Sequence, residues 1–131
     1  MREIKFRVWS KLDNKFIPWN INFSYELNEI FTLTNYLAFQ QYTGLKDKNG
    51  KEIYEGDILR YCGINDITYR KPGIVSIGEY FTHTKEFYHY GVRVKRLDME
   101  DNYFGLSAQD KDYLIIGNIF ENPEFLENKS F

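Results

Sequence analysis

The sequence has few of the residues that build covalent, membrane-spanning or exported structure. Cys62 is the only cysteine among 131 residues, which rules out a disulfide within the chain and fits a reducing compartment. No apolar run approaches the roughly 18 residues that a transmembrane helix needs. The first ten residues alternate charged and apolar side chains, unlike the continuous apolar segment of a signal peptide. We therefore expect a cytoplasmic protein that makes no membrane contact.

An excess of positive charge is also absent. The chain has 17 basic and 19 acidic side chains, and proteins whose main task is to hold nucleic acid by its phosphates are usually more basic. The charge is unevenly distributed, however. Residues 1–16 carry five basic and two acidic groups, residues 70–96 carry six and two, and residues 97–131 carry two and eight. This asymmetry is compatible with solvated strand faces, with a partner surface or with self-complementary contacts between copies.

Catalytic sequence motifs are missing as well. The sequence contains no phosphate-binding G-x-x-x-x-G-K, no G-x-G-x-x-G and no G-x-S-x-G or S-x-x-K nucleophile context. Three carboxylates, Glu52, Glu55 and Asp57, lie close together in the sequence. They lie at predicted turns, which do not supply the separated pair across a cleft that glycoside hydrolysis needs. We expect Asp57 to accept backbone hydrogen bonds at a strand start, and we predict that the protein is not an enzyme and needs no cofactor.

The sequence evidence for a metal site is equally weak. His83, Glu86 and His89 are spaced by three residues, so they would share one face of a helix. The surrounding segment FTHTKEFYHYGV favours a strand instead, and on a strand Glu86 points away from the two histidines. We predict that no metal is bound.

Aromatic residues, in contrast, are abundant. The chain has 11 Phe, 11 Tyr and 2 Trp, which together make up 18% of its residues. Aromatic side chains are favoured on half-buried pleated surfaces, so this composition favours strands. The many tyrosines indicate rings with one hydrated edge, as at a barrel rim, a self-association surface or a base-stacking platform.

Alternating apolar residues and closely spaced turns predict short strands along the whole chain. Residues 4–23 are predicted to form a hairpin with a turn at Leu12–Lys15, and Pro18 places the return strand at an edge or bulge. The segments Asp47–Gly50 and Glu55–Asp57 are predicted turns. Residues 24–36 are compatible with a short helix or a strand, and their Thr content favours the strand. Further strands are expected at residues 37–45, 58–62, 74–80, 86–97 and 113–119, with a loop at 63–73 and a turn at 98–102. A helical turn is expected to begin with Asn122 as N-cap and Pro123. Ile53, Ile58 and Tyr61 are predicted to face the core.

These elements predict a mainly β fold in one domain over residues 1–131. The expected architecture is an N-terminal hairpin plus a small, strongly bent sheet or SH3-like barrel, with at most short helical turns. Three segments also carry a family resemblance: REIKFRVW at the start, QYTGLKDKNGKEIYEGDIL in the middle and IIGNIFENPEFL near the end. The chain resembles the YopX family of phage and prophage proteins. The resemblance implies a mostly β domain in the cytoplasm of a bacterial host, and it carries no catalytic residues with it.

Basic residues interleaved with rings are the pattern most relevant to binding. Such faces occur in proteins that bind single-stranded nucleic acid. They also occur as ordinary solvated faces, and exposed Tyr and Trp are common anchors of protein interfaces. We expect a protein-interaction module that self-associates or binds a host or phage protein, with nucleic-acid binding as the alternative. The candidate binding residues are Lys5, Arg7 and Trp9 on one strand face and Arg93 and Lys95, together with His89, on another.

Overall fold

The computed structural model describes residues 4–17, 36–63, 72–81, 88–97 and 103–127, and these are mainly β. Nine strands and one helical turn lie in this part of the chain, and one of the two sheets is strongly curled into a half-barrel. The elements are β1 (Phe6–Ser10), β2 (Lys15–Ile17), β3 (Leu37–Lys46), β4 (Glu52–Tyr54), β5 (Asp57–Tyr61), β6 (Gly73–Phe81), β7 (Tyr88–Arg96), β8 (Tyr103–Gly105), β9 (Tyr113–Asn118) and α1 (Glu124–Glu127).

The first sheet contains the predicted N-terminal hairpin. Its strand order is β2-β1-β3-β4, so β2 lies at the edge as predicted. The hairpin closes through Asn14, whose φ of 52° is tolerated because Asn adopts the left-handed region more easily than most residues. In the hairpin register Trp9 lies opposite Phe16, which puts both rings on one face.

The second sheet has the order β8-β7-β6-β5-β9, and all of its pairings are antiparallel. Alternate side chains of its strands face the main apolar cluster, as the period-two pattern predicts. The predicted core residues Ile53 and Ile58 are buried, whereas Tyr61 is half-buried against the ring of Tyr113. The buried members of the cluster are Ile53, Leu59, Val75, Val92, Val94 and Leu106.

Turn chemistry joins β3 to β4 as predicted. Asp47 Oδ1 accepts hydrogen bonds from the N–H groups of Asn49 and Lys51, both at 2.9 Å. Gly50 has a φ of 81°, a conformation that glycine adopts at little cost. Its N–H donates to the Asp47 carbonyl oxygen at 2.9 Å. The Asp47–Gly50 turn is therefore confirmed.

Two details differ from the sequence-based expectation. The side chain of Asn122 has a contact that was not predicted: its Oδ1 accepts the N–H of Asn118 at 3.1 Å and so closes the turn after β9, while its carbonyl oxygen accepts the N–H of Phe125 at 3.2 Å. Strand β8 was not predicted, since three residues between turn-forming segments give too short an alternation to recognise. The predicted strand at 24–36 lies, apart from the turn residue Tyr36, outside the described residues. The 98–102 turn and most of the 63–73 loop also lie outside them.

Candidate interaction surface

Arg7 is held inside the fold by a buried carboxylate. Its Nη2 lies 2.7 Å from Asp57 Oδ1, and its Nε donates to Gln40 Oε1 at 2.7 Å. The guanidinium also lies over two rings, 4.6 Å from the centroid of Phe16 and 5.0 Å from that of Tyr54. A planar guanidinium suits this combination of stacking and forked hydrogen bonding. The pair joins β1 to the start of β5.

Asp57 supplies the other half of this contact. Its carboxylate is 1% exposed, and its Oδ2 accepts the N–H of Tyr54 at 2.8 Å, as the sequence predicted for this position. Burial raises the pKa of Asp57 above its usual value, while the neighbouring Arg7 charge and the hydrogen bonds oppose that rise. The other two carboxylates of the predicted turns are also engaged: Glu52 pairs with Lys5, and Glu55 accepts the N–H of Gln41. All three carboxylates therefore have partners within the fold.

Lys5 and Trp9 also pack within the four-stranded region. Besides its ion pair, the Lys5 ammonium lies 5.1 Å from the centroid of the Tyr42 ring. Trp9 is 6% exposed and stacks on Phe120 at 5.2 Å, with the ring planes only 8° apart. The predicted face of β1 thus exists as a row of residues, but Trp9 is covered and the charges of Lys5 and Arg7 are neutralised by nearby carboxylates.

The predicted pair on β7 has a different environment. Arg93 lies 4.0 Å above the Tyr103 ring, and it donates to Ser76 Oγ at 3.0 Å and to the Glu79 carbonyl oxygen. Among the described residues, neither Arg93 nor Lys95 forms an ion pair with a carboxylate. The two side chains alternate with Val92 and Val94 and so share one face of β7, as predicted.

Aromatic rings accompany these cations on the same face. Tyr80 lies opposite His89 in the register, and the two rings stack at 5.2 Å. Tyr103 of β8 lies opposite Lys95. We call this surface the β7 face; its members are Tyr80, His89, Arg93, Lys95 and Tyr103. The sequence-based analysis missed Tyr80 and Tyr103, because only the cross-strand register places them beside the two cations.

The opposite side of the same hairpin carries exposed aromatic residues. Val92 and Val94 lie in the core, and Tyr90, two residues before Val92, lies on the same side of β7 by strand alternation. Tyr90 is nevertheless 73% exposed, and Phe81 at the end of β6 is 55% exposed. The core therefore covers Val92 and Val94 but not the end of the hairpin, where Tyr90 and Phe81 are exposed on the same side. We call Tyr90 and Phe81 the distal patch.

The structure does not bring the two predicted groups of binding residues into one surface. Lys5, Arg7 and Trp9 belong to the four-stranded sheet, whereas Arg93 and Lys95 belong to the five-stranded sheet. We therefore keep the hypothesis of a basic, aromatic binding face only for Arg93, Lys95 and the rings of the β7 face.

The three sequence segments that carry the family resemblance form strands, turns and the helical turn of the fold. The first forms β1, the middle one runs from β3 through the Asp47 turn into β5, and the last forms β9 and α1. The sequence model of the family described as "YopX protein" matches residues 5–127. The chain belongs to the YopX family. Comparison with curated proteins gives no match.

A solved structure resembles the chain over nearly its whole length. It is the crystal structure of protein EF1440 from Enterococcus faecalis, which is 26% identical and superimposes with a TM-score of 0.53. The match covers 96% of this YopX-family chain and 99% of the Enterococcus chain. The likeness supports the mainly β architecture.

Two further findings concern membrane and metal binding. In the described part of the chain, no helix has the length and apolar character needed to cross a membrane. Nor do its His, Cys, Asp and Glu side chains form any group of three or more that could hold a metal ion. His83 and Glu86 lie outside that part, so the expectation that no metal is bound stays a prediction.

Proposed function

We propose that this YopX-family protein is a non-catalytic accessory protein of a phage or prophage, acting by binding in the cytoplasm of its bacterial host. It self-associates through the distal patch of the β6–β7 hairpin. The observation that carries the proposal is the 73% exposure of Tyr90 on the side of β7 that holds Val92 and Val94 in the core. Large rings exposed beside an apolar core are typical anchors of protein interfaces.

A second copy of the chain is the partner that fits this patch. Most soluble oligomers are symmetric, so one apolar patch meets its own copy across a two-fold axis. The charge distribution supports the same partner. Strand β7 carries Arg93, Lys95 and Arg96, whereas residues 103–127 carry five carboxylates and a single lysine. Such opposite charges orient two copies and speed their encounter.

Sedimentation velocity over a range of protein concentrations tests self-association. We expect a reversible dimer for the unmodified chain and, for Tyr90→Ser, a dissociation constant raised about tenfold or more, since anchor residues contribute at least about 1.4 kcal/mol. Leu12→Ser is the matched control, because Leu12 is 71% exposed but lies in the β1–β2 turn. A strictly monomeric protein at about 100 µM, or equal effects of the two substitutions, would contradict the proposal.

Nucleic-acid binding by the β7 face is the second candidate function. It is favoured by the position of Arg93 and Lys95, which lack carboxylate partners among the described residues and lie beside the rings of Tyr80 and Tyr103. Cations that contact phosphates combine with rings that stack on bases in proteins that bind single strands.

Fluorescence polarisation with short single- and double-stranded DNA and RNA tests this candidate at low and moderate salt. Binding by the β7 face predicts a steep salt dependence whose slope falls by about 0.7 for each lost phosphate contact on a single strand. The double variant Arg93→Ala/Lys95→Ala should weaken binding, while Lys11→Ala/Lys15→Ala removes the same charge from the β1–β2 hairpin and should not. The absence of binding at low salt would eliminate this candidate.

A further inference from the structure

The β6–β7 hairpin extends past the strands that flank it. Strands β6 and β7 are paired from Gly73 opposite Arg96 to Phe81 opposite Tyr88. Strand β8 pairs only with Arg93–Lys95 of β7, and β5 pairs only with the first two residues of β6. In the part of the chain that the structure describes, the far half of the hairpin is therefore a two-stranded ribbon with two outer edges.

Strand alternation determines which backbone groups of β7 point away from β6. In an antiparallel pair, every second residue directs its N–H and C=O to the partner strand, and the residues between direct theirs to the other side. The carbonyl oxygen of Val92 accepts the N–H of Leu106 at 3.0 Å, so the backbone groups of Val92 point away from β6. Those of Tyr90 and Tyr88 point the same way, past the segment that contains β8 and Leu106. Within the described ranges, no hydrogen bond reaches them.

The other strand edges of the described residues have features that discourage pairing with another chain. On the β6 edge, Arg93 donates to the Glu79 carbonyl oxygen, and its guanidinium lies over Gly78, where a Cβ would be 2.8 Å from Cζ. The outer edge of β9 is bonded to the Asp47 turn. The remaining edge strands, β2, β4 and β8, are each three residues long. Short strands and charged side chains at the edge are common means of preventing edge-to-edge pairing.

The outer edge of β7 has none of these features. Its residues 88–92, YHYGV, include no Lys, Arg, Asp, Glu or Pro. Outward N–H and C=O groups on such an edge are a template for a strand from another chain. The 73% exposed ring of Tyr90 belongs to the same edge. An open main-chain edge and an exposed ring therefore coincide at one end of the hairpin.

We propose that two copies of the chain join through this edge, β7 against β7, and so form one continuous sheet. This inference rests on the proposed self-association and specifies how it occurs. A second copy is the partner because an antiparallel edge is complementary to itself: a two-fold axis directs each outward N–H of one copy to an outward C=O of the other. The edge residues carry no acidic or basic side chain other than His89, so no permanent like charges oppose this pairing.

One register brings the open backbone groups of both copies together. With the axis beside His89, Tyr88 of each copy lies opposite Tyr90 of the other, and about four main-chain hydrogen bonds form. An axis closer to Val92 is disfavoured because Leu106 already occupies the Val92 carbonyl oxygen. The two Tyr90 side chains then lie at diagonal positions on one side of the joined sheet, within reach of each other. The edge and the exposed ring therefore contribute to the same contact.

Amide hydrogen exchange of the unmodified protein tests this edge. NMR follows individual amides at concentrations below and above the dissociation constant that sedimentation velocity gives. We expect the Tyr90 amide to exchange about tenfold or more slowly in the dimer than in the monomer, because pairing gives it a hydrogen-bond partner. The Glu79 amide is the matched control, since it lies opposite Tyr90 but on the β6 edge and should keep one rate. The Gly91 amide points to β6 and should exchange slowly at every concentration.

A pair of variants separates the main chain from the ring. Tyr90→Pro and Tyr90→Ser both remove the ring, but only proline also removes the outward N–H and obstructs the edge. Proline is tolerated at an edge position whose N–H points outward, so both variants should fold, which circular dichroism verifies. We expect Tyr90→Pro to raise the dissociation constant about fivefold or more beyond the effect of Tyr90→Ser.

The outcomes distinguish this inference from the proposed function. A dimer in which the Tyr90 amide exchanges as fast as in the monomer would overturn edge pairing and leave self-association standing. Equal dissociation constants for the proline and serine variants would have the same meaning. A protein that is monomeric at every concentration would overturn both, and the open edge would then suit an extended segment of another protein. Slow exchange of the Tyr90 amide in the monomer would show that the edge is covered within one chain, which also overturns the inference.

Discussion

Arg7 and Arg93 are the same residue type in two contrasting regions. Each guanidinium lies over an aromatic ring, Arg7 over Phe16 at 4.6 Å and Arg93 over Tyr103 at 4.0 Å. Arg7 faces the buried carboxylate of Asp57, whereas Arg93 donates only to a hydroxyl and a carbonyl oxygen among the described residues. The positive charge of Arg7 is therefore neutralised within the fold, and that of Arg93 is available to an anion or a partner.

The difference extends to the surrounding rings. In the four-stranded region Trp9 is enclosed between Phe16 and Phe120, while on the β6–β7 hairpin Tyr90 and Phe81 are mostly exposed. The first region uses its charges and rings to hold the two sheets together. The second presents the same chemical groups to the solvent. Both regions contain basic and aromatic residues, so only the packing distinguishes side chains that are enclosed from side chains that are exposed.

The largest difference in stability is expected between removal of a buried ring and removal of an exposed one. Trp9→Ala should lower the free energy of unfolding by about 3–5 kcal/mol, because it removes a buried ring and leaves a cavity. Tyr90→Ala should change that free energy by about 0.5 kcal/mol or less at concentrations where the protein is monomeric. Urea unfolding monitored by circular dichroism measures both. A large loss from Tyr90→Ala in the monomer would mean that the distal patch is part of the core.

The second prediction concerns the buried ion pair. Arg7→Met should cost about 3 kcal/mol at neutral pH, because it leaves the Asp57 carboxylate buried without its partner. Its pKa, already raised by burial, should then rise further, since Arg7 is the main influence that lowers it. An acid with a raised folded-state pKa contributes stability at low pH that is lost as the pH increases through that pKa.

The loss of unfolding free energy caused by Arg7→Met should therefore become smaller as the pH falls from about 7.5 to about 5. Urea unfolding at the two pH values measures this change. Asp57→Asn in the Arg7→Met background is the control, because it keeps a side-chain oxygen for the N–H of Tyr54 and removes the titrating group. If that loss does not depend on pH, a buried Asp57 carboxylate without a partner is not its cause.

Local sequence patterns predict a large part of the fold. Alternating apolar residues and short apolar runs indicate β1, β3, β6, β7 and β9, and the Asn49-Gly50 pair predicts the turn between β3 and β4. These features depend on residues close together in the chain. Side-chain alternation also places Tyr90 on the side of Val92 and Val94, but it cannot indicate that the core ends before Tyr90 is covered.

The sites are less predictable for the same reason. Arg7 and Asp57 are far apart in the sequence, and the carboxylate looks like a turn residue until the sheets are assembled. The Asp47 turn is likewise bonded to β9, through the N–H of Lys48 to the Tyr113 carbonyl oxygen and the N–H of Ile115 to Asp47 Oδ2, although these residues are far apart in the sequence. Contacts between distant segments depend on register and sheet packing, which no local pattern contains.

Two glycines with similar backbone angles give the third prediction. Gly56 has a φ of 85° and Gly50 a φ of 81°, so replacement by Ala should cost each about 1 kcal/mol in backbone strain. A Cβ at Gly56 would also collide with Gln40 Nε2, and moving Gln40 would disturb its hydrogen bond from Arg7. Nothing lies within 4 Å of a Cβ at Gly50.

Gly56→Ala should therefore cost about 2 kcal/mol or more in total, and Gly50→Ala about half as much. Thermal or urea unfolding of the two variants measures the difference. Combining Gly56→Ala with Arg7→Met should give less than the sum of the single effects, because both disturb the same hydrogen bond. Full additivity would show that Gln40 can move aside without affecting Arg7.

The smallest expected effect is that of removing Arg93. Arg93→Met should cost about 1 kcal/mol or less, because the guanidinium loses one ring contact and hydrogen bonds to neutral groups in a partly exposed setting. Its cost should also vary little between low and high salt, since no carboxylate partner is left unpaired among the described residues. Urea unfolding at two salt concentrations, with Arg7→Met measured alongside, checks both statements. If Arg93→Met were as costly as Arg7→Met, the charge of Arg93 would be committed to the fold, and the β7 face would lose the free cation on which the nucleic-acid candidate depends.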